Sequence, residues 1–354
     1  MMLRFALPLA AALSLALSAA AHAAYPNSIA STGDSITRAF NDCWFPYVDC
    51  PSASWSTGTS SYSHYRRIQG ANPAITGRSY NHAVSGADMA DLHGQVQGVI
   101  ARQAEYVTIL MGANDVCASS EAGMTDVAVF RSQFGSAMAS LTASLPTSRI
   151  FVSSIPDIYQ LFSIFRYDLG ANSVWAIAGI CQSMLAYPFS NLPWDVARRA
   201  RVRQRNIDYN TQLAQVCAMY TQCRFDGNAV FDTAFVRADV TTRDYFHPSP
   251  AGQAKLAAVT WGRRSVSCSD ALVDYCDASA ARSRSVSGRL APPFPSIAAT
   301  TSSSSATTLP SGAPSLTLAV TLFVPSRASD AEPTTCTSVR RSSERYSIVV
   351  RAAT

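Results

Sequence analysis

The run Tyr-Val-Thr-Ile-Leu-Met at residues 106–111 limits the possible folds most strongly. It is apolar at nearly every position and lacks the alternation of a strand with one wet face. Such a strand belongs inside a parallel sheet covered by helices on both sides. Short runs at 28–32, 78–84 and 149–155 have similar character, and a fifth strand is expected near 229–231. Helical periodicity falls between them, at 88–103, 127–145, 195–219 and 248–259, the last with Pro248 in its first turn. Strand and helix in alternation predict an α/β fold with right-handed crossovers, whose ligand crevice lies at the carboxyl ends of the strands.

Two segments break this rhythm. Residues 41–65 are rich in Ser, Thr, Tyr and Trp and read as an elaborated loop. Residues 156–194 read as a loop-prone insertion carrying Tyr159, Phe162, Phe165, Tyr167, Trp175, Tyr187, Phe189 and Trp194. These aromatic side chains either wall an apolar substrate pocket or pack as ordinary cover.

The N-terminus has the three-part layout of a secretory leader: a charged start at 1–4, an apolar run at 5–20 and the small-x-small site Ala21-His22-Ala23. Residues 1–23 are therefore expected to be a signal peptide, with a secreted chain, extracellular or periplasmic, starting at Ala24. Export implies an oxidising compartment, where cysteines pair. Of the nine cysteines, Cys43/Cys50, Cys217/Cys223 and Cys268/Cys276 are close pairs, Cys117 and Cys181 pair by elimination, and Cys336 is left over. Spacing does not prove connectivity. A zinc site is the rival, but no C-x-x-C occurs and no histidine clusters with these cysteines. Each short bridge stabilises by about 2–3 kcal/mol on the loop-entropy account.

Beyond residue 277 the chain turns to Ser, Ala, Thr, Pro and Arg with little periodicity. Residues 24–276 are read as the folded domain and 277–354 as a low-complexity, mostly disordered tail. The tail's apolar stretch 315–324 is too short to span a bilayer. The formal charge is +5, and Lys255 is the single lysine. The densest basic stretch, 197–205, holds five arginines in nine residues and reads as a solvated helix face. No nucleic-acid partner is expected from it.

Four short motifs occur in order: Gly33-Asp34-Ser35-Ile36-Thr37, Ser85-Gly86-Ala87, Gly112-Ala113-Asn114-Asp115 and Asp244-Tyr245-Phe246-His247-Pro248. The first three each follow a predicted strand, which gathers them at one edge of the sheet. A serine hydroxyl attacks only when a base takes its proton. Ser35 at a strand end suits the nucleophile, and His247 the base. Asp244, three residues earlier, is placed to fix the imidazole tautomer and balance its charge. An oxyanion needs preorganised donors. The Ser35 N–H, the Gly86 N–H and the Asn114 amide can supply them. Asp34 and Asp115 read as turn-stabilising. Singly these motifs are weak, and the information lies in their order.

Together these residues resemble the GDSL-type, or SGNH, hydrolase superfamily, whose four namesake positions are matched by Ser35, Gly86, Asn114 and His247 over about residues 29–261. The resemblance implies a flavodoxin-like three-layer α/β/α sandwich with a central parallel sheet of about five strands. It implies Ser35, Asp244 and His247 as the catalytic set and Ser35, Gly86 and Asn114 as oxyanion donors. It implies cleavage of carboxylic esters, thioesters or sugar O-acetyl groups with no metal and no organic cofactor. Ile36 stands where the eponymous motif has Leu. The cysteine-bearing loop after Ser35 and the position of Cys117 resemble secreted actinobacterial-type lipases and esterases. The Gly-x-Ser-x-Gly elbow of the other common serine-hydrolase fold is absent.

The expected activity is therefore lipase- or esterase-type hydrolysis through an acyl-serine intermediate, with phospholipid acyl esters included. Carbohydrate O-acetyl ester cleavage is the alternative. A non-catalytic secreted binding protein on the same scaffold is the alternative from another class. The expected partners are a small-molecule or lipid ester and transient contact with a lipid surface, and the chain is expected to be a monomer.

Overall fold

The computed structural model describes residues 25–59, 63–263, 334–341 and 345–352. The signal-peptide reading, the Cys268/Cys276 pair and the tail as far as residue 333 lie outside the described residues. The chain divides into two units, 1–264 and 265–354.

In the first unit, β1 (Ile29–Gly33), β2 (Ser79–Asn81), β3 (Tyr106–Leu110), β4 (Arg149–Val152) and β5 (Cys223–Phe225) form one sheet in the order β2-β1-β3-β4-β5. Every pairing is parallel. All residues of β1 and β3 are buried, with only the small hydroxyl residues Ser31, Thr32 and Thr108 among their otherwise apolar side chains and Gly33. The register sets Gly33 opposite Leu110, so β1 and β3 end level and the loops that follow them emerge side by side.

Nine helices accompany the sheet among the described residues: α1 (His64–Ala71), α2 (Leu92–Ala101), α3 (Ala113–Val116), α4 (Val127–Ser144), α5 (Ile158–Phe165), α6 (Leu169–Ile177), α7 (Gln182–Leu185), α8 (Pro193–Cys217) and α9 (Pro250–Trp261). Side-chain oxygens of Ser63, Asp126, Asp157, Asp168 and Ser249 cap five of them. α1 and α9 share one face. Buried His64 of α1 bonds Tyr106 Oη of β3 and Thr260 Oγ1 of α9, each at 2.8 Å. α2, α4 and α8 pack side by side, and Phe130 stacks on Tyr209 at 4.1 Å where α4 meets α8. No described helix is long and apolar enough to cross a membrane. Cys43–Cys50, Cys117–Cys181 and Cys217–Cys223 are bonded, as the spacing and elimination argued.

Three expectations need correction. The fifth strand is Cys223–Phe225, not 229–231. It is a half-buried edge strand of three residues, too short to show an apolar run, whereas buried Val230 belongs to a turn. Residues 156–194 are mostly helical rather than loop, being α5, α6 and α7. Phe162, Phe165 and Trp175 fill the core there, while Tyr167, Tyr187, Phe189 and Trp194 are exposed. The arginines of 197–205 are a solvated face only in part, since Arg201 is exposed but Arg199 is buried and all five have partners. Arg198 and Arg199 donate to main-chain carbonyls, Arg201 pairs with Glu121, Arg203 with Asp157, and Arg205 donates to the Thr125 carbonyl.

In the second unit, β6 (Thr334–Arg341) pairs antiparallel with β7 (Arg345–Ala352), with Cys336 opposite Val350. β6 carries three Thr and a Val, and β7 a Tyr, an Ile and two Val, residue types that suit a pleated surface.

Candidate active site

The site begins at Gly33. Its φ of 147° lies in the region that favours glycine, and a Cβ there would sit 2.3 Å from the Leu110 carbonyl oxygen. The Gln95 side chain holds this residue from α2, accepting its N–H at 2.8 Å and donating to its carbonyl at 2.9 Å. Asp34 Oδ1 then accepts the Ile36 N–H at 2.9 Å, and the chain curls so that the Phe40 N–H reaches the Ser35 carbonyl at 3.0 Å. Ser35 is thus presented on a tight turn at the carboxyl end of β1.

His247 arrives on the loop before α9. The Thr241 N–H donates to the His247 carbonyl at 2.9 Å, and the Ser249 N–H to the Asp239 carbonyl at 2.8 Å, closing the loop's base. Tyr245 at its tip has a left-handed φ of 54°, and Trp175 Nε1 of α6 donates to its carbonyl at 3.1 Å. Asp244 Oδ1 accepts the N–H groups of Phe246 and His247 at 2.9 and 3.0 Å. Asp244 Oδ2 bonds His247 Nδ1 at 2.8 Å, and His247 Nε2 lies 2.7 Å from Ser35 Oγ. Carboxylate, imidazole and hydroxyl form one continuous chain across 212 residues of sequence. The rings of Phe40 and Phe246 flank the imidazole at 4.9 and 5.0 Å between centroids.

Charge follows from these contacts. Burial pushes the Asp244 carboxyl up, but the His247 hydrogen bond and charge and the two N–H donors outweigh it, so its pKa is lowered. Asp244 is therefore an anion. Asp34 is the opposite case. Burial raises it to about 7, and its Oδ2 has no hydrogen-bond partner. Burial likewise raises Asp115 to about 6 and Asp42 to about 7. A carboxyl raised on folding favours the folded state while protonated. The contribution of Asp34 is complete below its ordinary value of 3.8 and is lost as pH rises through about 7. Asp34→Asn, which cannot ionise, is expected to gain thermal stability relative to the parent at pH 8 but not at pH 4. Melting curves at the two pH values check this, and an equal difference at both would contradict it.

Gly86 sits in the turn after β2 with a φ of 84°, and the Val84 N–H donates to the Gly33 carbonyl at 3.1 Å. That bond sets the Gly86 turn on the end of β1. Asn114 lies in α3, at the end of β3, and its Nδ2 donates to the Ala87 carbonyl at 2.7 Å. An amide has two N–H groups, so this bond leaves capacity for a second acceptor. Asp115 Oδ2 accepts the Met89 N–H at 3.0 Å, the turn-stabilising part expected of it.

Three further contributors have no motif to announce them. Asn41 Nδ2 donates to Asp244 Oδ2 beside the imidazole. Asp49 Oδ1 accepts from Ser85 Oγ, next to Gly86. Gln95 holds Gly33, and the one hint in the sequence is an amide within an otherwise apolar helical face.

The family model described as GDSL-like lipase/acylhydrolase matches residues 29–259. A search of curated proteins found no match. Among solved structures, a phospholipase from Streptomyces albidoflavus is similar at 16% identity, covering 67% of this chain and 99% of that one, with a TM-score of 0.41. The esterase EstA from Pseudoalteromonas sp. is similar at 12% identity, 67% and 96% coverage and a TM-score of 0.39. An acetyl xylan esterase from Geobacillus stearothermophilus is similar at 17% identity, 68% and 96% coverage and a TM-score of 0.37. The family match runs from the first strand to the last helix of the five-stranded unit and takes in all four motifs, and on that ground the chain belongs to the GDSL-like lipase/acylhydrolase family of carboxylic ester hydrolases.

Proposed function

We propose that the chain hydrolyses carboxylic esters through an acyl-Ser35 intermediate. The observation that carries this reading is the unbroken contact from Asp244 through His247 to Ser35 Oγ. Ser35 Oγ attacks the ester carbonyl while His247 Nε2 takes its proton. Asp244 holds the Nδ1–H tautomer and balances the imidazolium charge. The N–H groups of Ser35 and Gly86 and the Asn114 amide receive the oxyanion. His247 returns the proton to the departing alcohol. Water then attacks the acyl-enzyme with the same imidazole as base, releasing the acid and free Ser35.

For the substrate, we favour esters of apolar acyl chains. Ile36 and Phe246, each next in sequence to a member of the triad, line an apolar cleft with Ile158, Leu161, Ile164 and Phe235. The wall from α5 is Ile158, Leu161 and Ile164 with Gln160, and none of the aromatic side chains of 156–194 lines this cleft, which favours the cover-packing alternative for them. Transient contact with a lipid surface is supported by Trp44, Phe45 and Tyr47, which are 96%, 70% and 65% exposed on the loop after Ser35. Trp and Tyr favour such boundaries because their rings are amphipathic. The second reading, removal of sugar O-acetyl groups, is favoured by one feature. An open groove starting at Gly86 carries His82, Ser85 and Asp91 beside Val84 and Ala87, polar groups suited to a hydroxylated alcohol.

Export is supported by the leader-like N-terminus and the three disulfides among the described residues. A series of p-nitrophenyl esters from acetyl to dodecanoyl separates the two substrate readings. Hexanoyl and longer esters are expected to exceed acetyl in kcat/KM by about tenfold or more, since each buried methylene contributes about 0.8 kcal/mol. Strict preference for acetyl would instead support the O-acetyl reading.

A further inference from the structure

The loop 41–50 leaves the Ser35 turn, runs over the surface and is closed by Cys43–Cys50. Its two ends touch different parts of the site. At one end Asn41 is buried at 2% exposure with a left-handed φ of 72°. Its Nδ2 donates to Asp244 Oδ2, while its Oδ1 accepts the Tyr47 N–H at 2.5 Å and its own N–H reaches the Val48 carbonyl at 3.0 Å. At the other end Asp49 Oδ1 accepts from Ser85 Oγ, and Asp49 Oδ2 pairs with Arg38 Nε at 2.9 Å. Ser85 is the residue before Gly86. The span between is held by Arg243, the neighbour of Asp244, whose guanidinium donates to the carbonyls of Asn41, Cys43, Trp44 and Phe45 at 2.6 to 3.2 Å.

The forces holding this loop are unusual for a segment so apolar. Its large side chains Trp44, Phe45 and Tyr47 face outward, so burial of apolar surface contributes little to its position. The disulfide, the guanidinium and the two end contacts hold it instead.

We propose that loop 41–50 is a positioning strap for both halves of the site, in which Asn41 fixes Asp244, Asp49 fixes the Ser85–Gly86 turn, and the Cys43–Cys50 bond keeps the two coupled. The strap thereby sets the distance between the base and the oxyanion donors, which must both be correct when the carbonyl is attacked. This rests on the reading of Ser35 as nucleophile. Asn41 and Asp49 are positioning residues, since neither touches the reacting atoms.

The test uses the full-length chain and steady-state kinetics on one p-nitrophenyl ester. Asn41→Ala and Asp49→Ala are each expected to lower kcat about tenfold or more, with KM within about twofold. The double variant Cys43→Ser/Cys50→Ser is expected to lose at least as much as either single variant while still melting cooperatively. The fall in kcat at constant KM is the readout that a merely structural role would not move, since a variant that only loses stability keeps the turnover of its folded molecules. If folded Asn41→Ala and Asp49→Ala turn over at the parental rate, the strap has no positioning role. That result is distinguishable from failure of the underlying mechanism, because Ser35→Ala would remain inactive. Should the cysteine variant fail to melt cooperatively, the single variants decide the matter.

Discussion

Ser35→Ala is expected to lower kcat/KM by about 10⁴-fold or more while the protein stays folded. The side chain lost is one hydroxyl, and its partner is His247 Nε2 at 2.7 Å. The turn that presents it is made by Gly33, Asp34 and the main chain, none of which changes. Among the described residues no other hydroxyl bonds that imidazole nitrogen, so none stands ready to take over the attack. What activity remains comes from the oxyanion donors and from substrate binding, which persist without the nucleophile. Rates on a p-nitrophenyl ester, far-UV circular dichroism and labelling by a fluorophosphonate measure the three parts of this expectation. A folded Ser35→Ala protein within tenfold of the parental rate would remove Ser35 from the role of nucleophile.

Asp244→Asn is expected to cost about 10⁴-fold in kcat with little change in KM, by way of the imidazole tautomer. In the parent, Asp244 Oδ2 accepts from His247 Nδ1, which leaves Nε2 as the acceptor facing Ser35 Oγ. The Asn oxygen is expected to stay where Oδ1 is, because two main-chain N–H groups from Phe246 and His247 donate there. The new NH2 group then faces Nδ1 and must donate to it. That forces the ring proton onto Nε2, which then points an N–H at the serine and cannot take its proton. The same NH2 group would also meet the Asn41 amide donor. The substitution preserves shape and removes the base, so a drop in kcat at unchanged KM is the signature, accompanied by a lower melting temperature because two buried donors now face each other. A loss below about tenfold would show that the carboxylate is not needed to set the tautomer.

Much of this site was legible before any coordinates. Ser35, Gly86, Asn114, Asp244 and His247 sit in short motifs, and three of those motifs follow strand-length apolar runs. A parallel α/β sheet puts strand ends together, so chain order alone implied proximity. What failed did so for local physical reasons. The edge strand Cys223–Phe225 is three half-buried residues with an arginine at its centre, so it carries no strand signal. The stretch 156–194 looked like loop because its helices are short, although Asp157 and Asp168 are N-caps that could have been recognised. The arginines of α8 resembled a solvated stripe because their acceptors, such as Glu121 and Asp157, come from distant segments.

The sequence on its own determined four of the five strands, the order of the motifs and the residue types able to carry out acyl transfer, because those depend on local periodicity and on chemistry held within a few consecutive residues. The tertiary structure decided which groups steady that chemistry. Asn41 meets Asp244 across 203 residues, Gln95 meets Gly33 across 62, and Asp49 meets Ser85 across 36. A hydrogen bond between segments so far apart depends on how the backbone returns in space, and no spacing along the chain encodes that.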